Sequence, residues 1–324
     1  MPMTVKSGML AVLLLATVVS NASMAQPANV TTVVVPFPAG GILDVLARIV
    51  TQKLGDETKE PYVVENKPGA NGMIGAKAAA KSKPDGKTWL IADSAPVTVN
   101  PFLYPADPAF SADKDLRPVR ALAGQQLVLI VKNDFPAKAV KDFVDLARKR
   151  EITYASGGIG SSSHLAMSYL NGIVGGLQFR HIPYRGGPQT VQSIVSGEVE
   201  SGFIILPLAL PFIKEGRVVA LAVSGAKRSP HLPNVPTMIE SGYRSFEVEN
   251  PAFAWLPSGV PDETARKVDQ LLLSVLSDPA VAERIRAMGL EPTTSMGEAE
   301  SRKWLAANRA IWEKVIRENN IKPE

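Results

Sequence analysis

The chain contains no cysteine and only three histidines. The missing cysteine excludes a disulfide framework, a thiolate zinc site and a cysteine nucleophile. His164, His181 and His231 are far apart in sequence, and none belongs to a His-Glu-x-x-His helix, so we predict no metal site. Stability must therefore come from packed apolar cores.

A strong charge imbalance is also missing, since the formal net charge is only +4. The densest basic run, Arg148–Arg150, ends a predicted helix, where cations are favoured by the helix dipole. No basic stripe alternates with aromatic residues, so we expect no nucleic-acid partner. The chain also lacks a Gly-x-Ser-x-Gly elbow and a recognisable acid–base pair of carboxylates. We therefore predict a binding protein that is not an enzyme and that needs no cofactor.

Only one long apolar run is present, Met9–Val19, and it follows a single charge at Lys6. The run is shorter than the ~20 residues of a spanning helix. Ser23 and Ala25 fit the small-x-small pattern of an export cleavage site. We therefore expect residues 1–25 to be removed, which leaves a soluble periplasmic protein. An uncleaved membrane anchor is the alternative.

From residue 30 onward, short β-branched runs alternate with helical stretches, which is typical of βαβ units. The predicted strands are Val30–Val35, Tyr62–Glu65, Thr88–Ala92, Leu127–Val131, Ile152–Ala155, Gln178–Ile182, Glu200–Ile205 and Val218–Val223. The predicted helices are Leu43–Leu54, Met73–Ser82, Ala139–Arg150, His164–Asn171, Pro188–Ser196, Asp262–Ser277, Pro279–Met288 and Met296–Glu318.

Two long extended stretches, Leu116–Val131 and Phe246–Leu256, are the best places for the chain to cross between domains. A chain of about 300 residues exceeds the usual size of one core. We therefore predict an α/β fold with two lobes: residues 26–125 with 251–324, and residues 126–250. Two crossings give a clamshell with a ligand cleft between mixed sheets flanked by helices.

The segment Pro36–Gly41 joins a predicted strand to a predicted helix. Backbone N–H groups at such a helix start bind anions without a basic side chain. Gly40 and Gly41 allow close approach of a ligand. Asp44, in the first turn, is either a ligand-binding residue or a helix cap.

A similar loop follows in the second series, at residues 156–164, with glycines and three serines before a helix. Gly160, Ser161, Ser162 and His164 are its candidate ligand-binding residues, although one serine could be an ordinary N-cap. A third loop carries Tyr184 and Arg185. The arginine would bind a carboxylate in a bidentate pair, or else form an interdomain ion pair.

Five stretches together resemble the Bug family of extracytoplasmic solute receptors, the substrate-binding components of tripartite tricarboxylate transporters. They are residues 35–50, 63–90, 154–166, 181–200 and 221–243. The resemblance implies a periplasmic clamshell receptor of type II-like fold, a monomer that delivers a small carboxylate to membrane permease subunits. A sensory receptor that signals to a partner is the alternative, and a periplasmic enzyme is a weaker third.

The resemblance also implies that the ligand lies between the first loop and the glycine-serine loop. The full set of candidate ligand-binding residues is Phe37, Ala39, Gly40, Gly41, Asp44, Ser94, Ser156, Gly160, Ser161, Ser162, His164, Tyr184, Arg185 and Ile204.

The sequence departs from the family pattern at two places. Leu43 replaces a hydroxyl residue before Asp44, and Phe203 is followed by Ile204 and Ile205 in place of Asp-Asn. Asp44 is then the only acid that the sequence places near the cleft. We therefore expect a carboxylate with an apolar or aromatic body, not an amino acid.

Overall fold

A computed structural model of the protein describes residues 30–104 and 109–322. The predicted export signal and its cleavage after Ala25 lie outside these residues. Across the described ranges, every helix is too short or too polar to cross a membrane.

These ranges contain eleven strands, twelve α-helices and one short 3-10 helix at Ala70–Gly72, and they include all eight strands and all eight helices that the sequence pattern predicts. The strands are β1 Thr31–Val35, β2 Tyr62–Asn66, β3 Thr88–Ala92, β4 Leu116–Gly124, β5 Leu127–Lys132, β6 Ile152–Ser156, β7 Phe179–Pro183, β8 Ser201–Ile205, β9 Val218–Val223, β10 Ala252–Pro257 and β11 Glu291–Pro292. The helices are α1 Ile42–Thr58, α2 Met73–Ala80, α3 Ala95–Thr98, α4 Asn100–Leu103, α5 Ala112–Asp115, α6 Val140–Ala147, α7 Ser162–Val174, α8 Gly187–Val195, α9 Leu206–Lys214, α10 Asp262–Ser277, α11 Pro279–Ala287 and α12 Glu298–Glu318.

The first sheet has the strand order β11-β4-β10-β3-β1-β2. Strand β1 pairs in parallel with β2 and β3, whereas β10 is antiparallel to β3 and β4. Successive side chains of β1 point to opposite faces, so Val33 and Val35 pack under α1 and α10, and Val34 packs under α2. Both faces are covered, which explains the continuous apolar run.

The second sheet has the order β7-β6-β8-β5-β9. Strand β6 is parallel to β7 and β8, and β5 is antiparallel to β8 and β9. Along β5, Leu129 and Val131 pack with α6 and α7, while Val128 and Ile130 pack with α8 and α9. The two mixed α/β sheets confirm the predicted two-lobed architecture.

The chain passes between the sheets twice, and the two crossing segments lie side by side. Asn250 N donates to Gln125 O at 3.0 Å, and Gln126 forms an antiparallel bridge with Glu249. All strands of the second sheet lie between these crossings. The predicted domain limits at residues 125/126 and 250/251 are compatible with this path and stay a prediction.

Helix α12 contacts both lobes. Leu305, near its start, packs in a cluster of the first sheet. Trp312, Val315 and Ile316, near its end, join the cluster between the second sheet and α7. The last turns of α12 therefore tie the two lobes together, although the predicted domain limits place this whole helix in the first lobe.

Helix α9 has no counterpart among the predicted elements, because its two prolines argue against a helix in the sequence pattern. Pro207 lies in the first turn, where its missing N–H would have no helical partner. Pro211 lies inside and removes one intrahelical hydrogen bond. The helix forms because Leu206 and Ala209 are buried against the second sheet.

Candidate ligand-binding site

The loops that follow β1, β2 and β3 meet at one edge of the first sheet, as expected for the carboxyl ends of parallel strands. Asn66 Nδ2, at the end of β2, donates to Phe37 O at 3.1 Å. A Cβ on Gly75 would lie 2.7 Å from Pro36 Cβ, so only glycine permits this close packing. Phe37 is half-buried on this edge, while Ala39 and Gly40 are exposed.

Asp44 holds the first loop in shape. Its carboxylate is buried and accepts hydrogen bonds from Gly40 N at 2.9 Å, Asn66 Nδ2 at 3.0 Å and the Arg48 guanidinium at 3.0 Å. Burial alone would raise the pKa of Asp44, but Arg48, Gly40 and Asn66 hold it below its ordinary value. All of these partners belong to the chain itself, so Asp44 positions the loop.

The loop offers fewer free donors than the sequence predicts. The N–H of Gly40 donates to Asp44, and the N–H of Gly41 donates to Pro38 O at 3.2 Å. Neither is available to a ligand. Within the described chain, the N–H groups of Ile42 and Leu43 in the first turn of α1 donate to no other group. Of the predicted donors, the N–H groups of Gly40 and Gly41 are therefore engaged within the loop, and the free N–H groups at the start of α1 are the two that follow them.

The second-lobe loop divides its serines between two roles. Ser161 is the N-cap of α7: its Oγ accepts from His164 N and donates to Gly158 O at 2.7 Å. Ser162 is half-buried, and its hydroxyl has no hydrogen-bond partner among the described residues. The ordinary capping interpretation therefore holds for Ser161, and Ser162 remains free to contact a ligand.

Three rings stack beneath this loop. The His164 and His181 rings are nearly parallel with centroids 4.1 Å apart, and the Tyr154 ring stacks on His181 at 4.9 Å. Burial lowers the pKa of His164 to about 3, helped by His181, and lowers the pKa of His181 to about 4. Both rings are therefore neutral near pH 7.

These neutral histidines orient the loop backbone. His164 Nδ1 accepts from Gly160 N at 3.2 Å, and His181 Nε2 lies 2.6 Å from Ser156 Oγ. Ser156 is fully buried and also bonds with Gly158. Ser156 Oγ, Gly160 N–H and His164 Nδ1 thus belong to the loop's internal support.

The second-lobe loop touches the first lobe. A Cβ on Gly160 would overlap Leu103 Cδ1 and would lie 3.8 Å from Val99 Cγ1. Leu103 ends α4 and Val99 joins α3 to α4, so both lie in the segment after β3, which neighbours β1 in the first sheet. The glycine loops of the two lobes therefore belong to one junction.

The third loop adjoins the second one, because Tyr184 N donates to Ser156 O at 2.9 Å. The Tyr184 hydroxyl donates to Glu198, beyond the far end of α8, so it points away from the junction. Arg185 is exposed and forms no ion pair with a described residue. The alternative of an interdomain ion pair is therefore not seen.

Two further predicted residues lie inside the protein. Ile204 is 1% exposed in the core formed with Val191 and Leu206, beyond the reach of a ligand. Strand alternation turns it inward and leaves Ile205 half-buried at the other face. Ser94 is buried, and its hydroxyl accepts from Thr98 Oγ1 at 3.2 Å.

Sequence reasoning missed Asp93, the residue immediately after β3. Its carboxylate accepts from Ala95 N at 3.1 Å and from Asn250 Nδ2 at 3.4 Å, and no described basic side chain pairs with it. Burial raises the pKa of Asp93. The signal was present, since an acid directly after a predicted parallel strand lies at the edge where ligands bind. Asp44 is therefore not the only acid near the junction.

The sequence matches the family described as the tripartite tricarboxylate transporter family receptor over residues 46–321. It is 33% identical over 300 residues to Protein BugT of Bordetella pertussis, covering 91% of each chain.

Solved structures share the fold. The R. palustris protein Rpa4515 with adipate superimposes with a TM-score of 0.82 at 28% identity, over 93% of this chain and 100% of that one. The periplasmic binding protein BugD gives a TM-score of 0.78 at 30% identity, over 92% and 100%. The malate-bound protein MatC of Rhodopseudomonas palustris gives 0.76 at 26% identity, over 90% and 100%.

Proposed function

Because the chain belongs to the tripartite tricarboxylate transporter family of receptors, which are substrate-binding proteins and not enzymes, we propose that it captures a small carboxylate at the junction of its lobes. Receptors of this family are periplasmic and bind small carboxylates. In this proposal the chain is exported with cleavage after Ala25. It then delivers its ligand, as a monomer, to the permease subunits of a tripartite transporter.

One observation carries the proposal: each lobe presents a helix start with unpaired N–H groups. In the first lobe these belong to Ile42 and Leu43, and in the second to Ser162 and Ser163. Two such helix starts favour a negatively charged group through their N–H donors and their dipoles. The free Ser162 hydroxyl and the exposed Arg185 add donors near the second helix.

The experiment is a thermal-denaturation panel on protein purified from the periplasm without refolding. It covers aliphatic dicarboxylates, aromatic monocarboxylates, citrate-like acids and acidic amino acids. A ligand at a hundred times its dissociation constant stabilises the fold by roughly 2.7 kcal/mol, which is visible as a shift in melting temperature. Native mass spectrometry of the same preparation would identify a carried-over ligand.

The corresponding primary amides are the matched control, because they keep the body of each acid and lose its charge. We expect at least one acid to shift the melting temperature while its amide does not. Equal shifts for acid and amide would contradict carboxylate recognition, and so would the absence of any shift with every acid.

A further inference from the structure

Asp93 is an acid whose local contacts do not require a carboxylate. The hydrogen bond from Ala95 N is a turn contact two residues along, which an asparagine oxygen accepts equally well. The Asn250 amide is a neutral donor at 3.4 Å. Within the described chain, no lysine, arginine or histidine lies in ion-pair range of this carboxylate. A half-buried acid thus lies at the end of β3 without a cation beside it.

An unpaired donor lies on the same side of the lobe crossing. Gln126 and Glu249 form a bridged antiparallel pair, so their side chains share one face. The preceding Gln125 and the following Asn250 therefore share the opposite face, from which Asn250 reaches Asp93. Gln125 is 2% exposed, and its Nε2 has no hydrogen-bond partner within the described residues.

The Asp93 carboxylate is therefore an acceptor without a cation beside it, and Gln125 Nε2 is a buried donor without an acceptor. Asp93 lies at the end of β3, and Gln125 lies beside Asn250. The loop after β1, the neighbour of β3 in the sheet, leads to the free N–H groups of Ile42 and Leu43. A ligand with carboxylates alone would meet Asp93 as a like charge. A ligand that also carries an ammonium group would give Asp93 its missing counter-ion and leave its carboxylate for the N–H donors and Gln125.

We propose that Asp93 binds an ammonium group of the ligand and that the carboxylate taken by this receptor is an amino acid. The proposal rests on the proposed function, since it specifies which carboxylate enters the same junction. It replaces the expectation of an amine-free ligand, whose premises were apolar side chains of Leu43, Ile204 and Ile205 near the cleft and Asp44 as the only nearby acid.

The test is isothermal calorimetry with pairs of acids that differ only by the amino group: aspartate and succinate, glutamate and glutarate, phenylalanine and 3-phenylpropionate. In the wild-type chain we expect one amino acid to bind about tenfold or more tightly than its amine-free partner, as for a charge-assisted hydrogen bond. Asp93→Asn should remove that preference, because the amide keeps the turn contact with Ala95 N and loses the charge.

Glu249→Gln is the matched control. Glu249 is another enclosed acid at the same crossing, but it lies on the opposite face, and its substitution should leave the preference intact. Amine-free acids that bind to the wild-type chain as tightly as their amino-acid partners, or a preference for the amino acid that survives in Asp93→Asn, would overturn the inference while leaving carboxylate capture in place. If no member of either series binds while another acid of the thermal-denaturation panel does, the inference fails and carboxylate capture stands. If no acid of that panel binds either, the proposed function fails as well.

Discussion

The two glycine loops have the same design at the level of the backbone, yet different chemistry holds each one. Both follow a parallel strand, contain a glycine with positive φ and lead into a helix start. The first is fixed by an ionised Asp44 with Arg48, and the second by the neutral rings of His164 and His181. Equivalent anion sites can therefore respond differently to acid and to substitution.

The largest difference between the two loops should be the loss of unfolding free energy when a glycine of each is replaced by alanine. Gly40 and Gly160 have φ values of 78° and 77°, so alanine at either position costs about 1–2 kcal/mol of left-handed strain. A Cβ at Gly40 meets nothing within 4 Å, whereas one at Gly160 overlaps the buried Leu103. We expect Gly160→Ala to lower the free energy of unfolding by about 3 kcal/mol or more. Urea denaturation of both variants checks this, and equal losses would contradict it.

Removal of the ionic support should affect the first loop alone. Asp44→Ala leaves the Gly40 N–H and the Asn66 amide without their acceptor, so we expect a loss of about 3 kcal/mol in unfolding free energy. Ligand affinity should fall as well, because the loop loses its shape. The exposed Asp56→Ala on the same helix is the control. A stable Asp44→Ala variant would show that the network is dispensable.

Acid should weaken the second loop first. The pKa values of His164 and His181, about 3 and about 4, lie below the ordinary 6.5, so the folded chain binds fewer protons than the unfolded one. Their contribution to stability is complete above about pH 6.5 and is lost as the pH falls toward 4. The pKa of Asp44 is lowered from 3.8, so its contribution persists through this range and is lost only in stronger acid.

The experiment compares the pH dependence of the unfolding free energy in the wild-type chain and in a double variant, His164→Asn with His181→Gln. The asparagine and glutamine keep hydrogen-bonding atoms but do not titrate. Both folded rings stay neutral down to about pH 5, while the unfolded chain takes up a proton on each, so we expect the wild type to lose about 3 kcal/mol more than the double variant between pH 6.5 and 5.0. His231→Asn, whose ring lies outside the stack, is the control. Parallel pH profiles of urea denaturation would contradict the stack as the acid-sensitive element.

The smallest expected change in stability distinguishes the roles of the neighbouring residues Ser161 and Ser162. Ser161→Ala removes the N-cap of α7 and should lower the unfolding free energy by about 1 kcal/mol with little change in affinity. Ser162→Ala should leave stability unchanged and weaken ligand binding by about tenfold. Denaturation and calorimetry on both variants provide the measurement. A loss of affinity only in Ser161→Ala would exchange the two roles.

Much of the fold could be predicted because its signals are local. Strands β3 and β9 and helix α10 begin and end where the apolar pattern predicts, since buried runs and helical periodicity are written in neighbouring residues. Helix α9 could not be predicted, because its prolines argue locally against a helix that the second sheet stabilises through burial. The path of α12 across both lobes is likewise a result of packing between distant segments.

For the candidate site, the sequence by itself determined where the glycine loops lie and that they precede helices. Only the tertiary structure decided which of their donors stay free. The N–H of Gly40 donates to Asp44, and the N–H of Gly160 donates to His164. The side chain of Ile204 is buried in the core and does not face the junction. Asn250 contacts both Asp93 and the backbone of Gln125 only because the second crossing segment passes the end of β3. Hydrogen-bond partners depend on groups distant in sequence, so residue type alone shows which atoms can bind, and folding decides which remain unpaired.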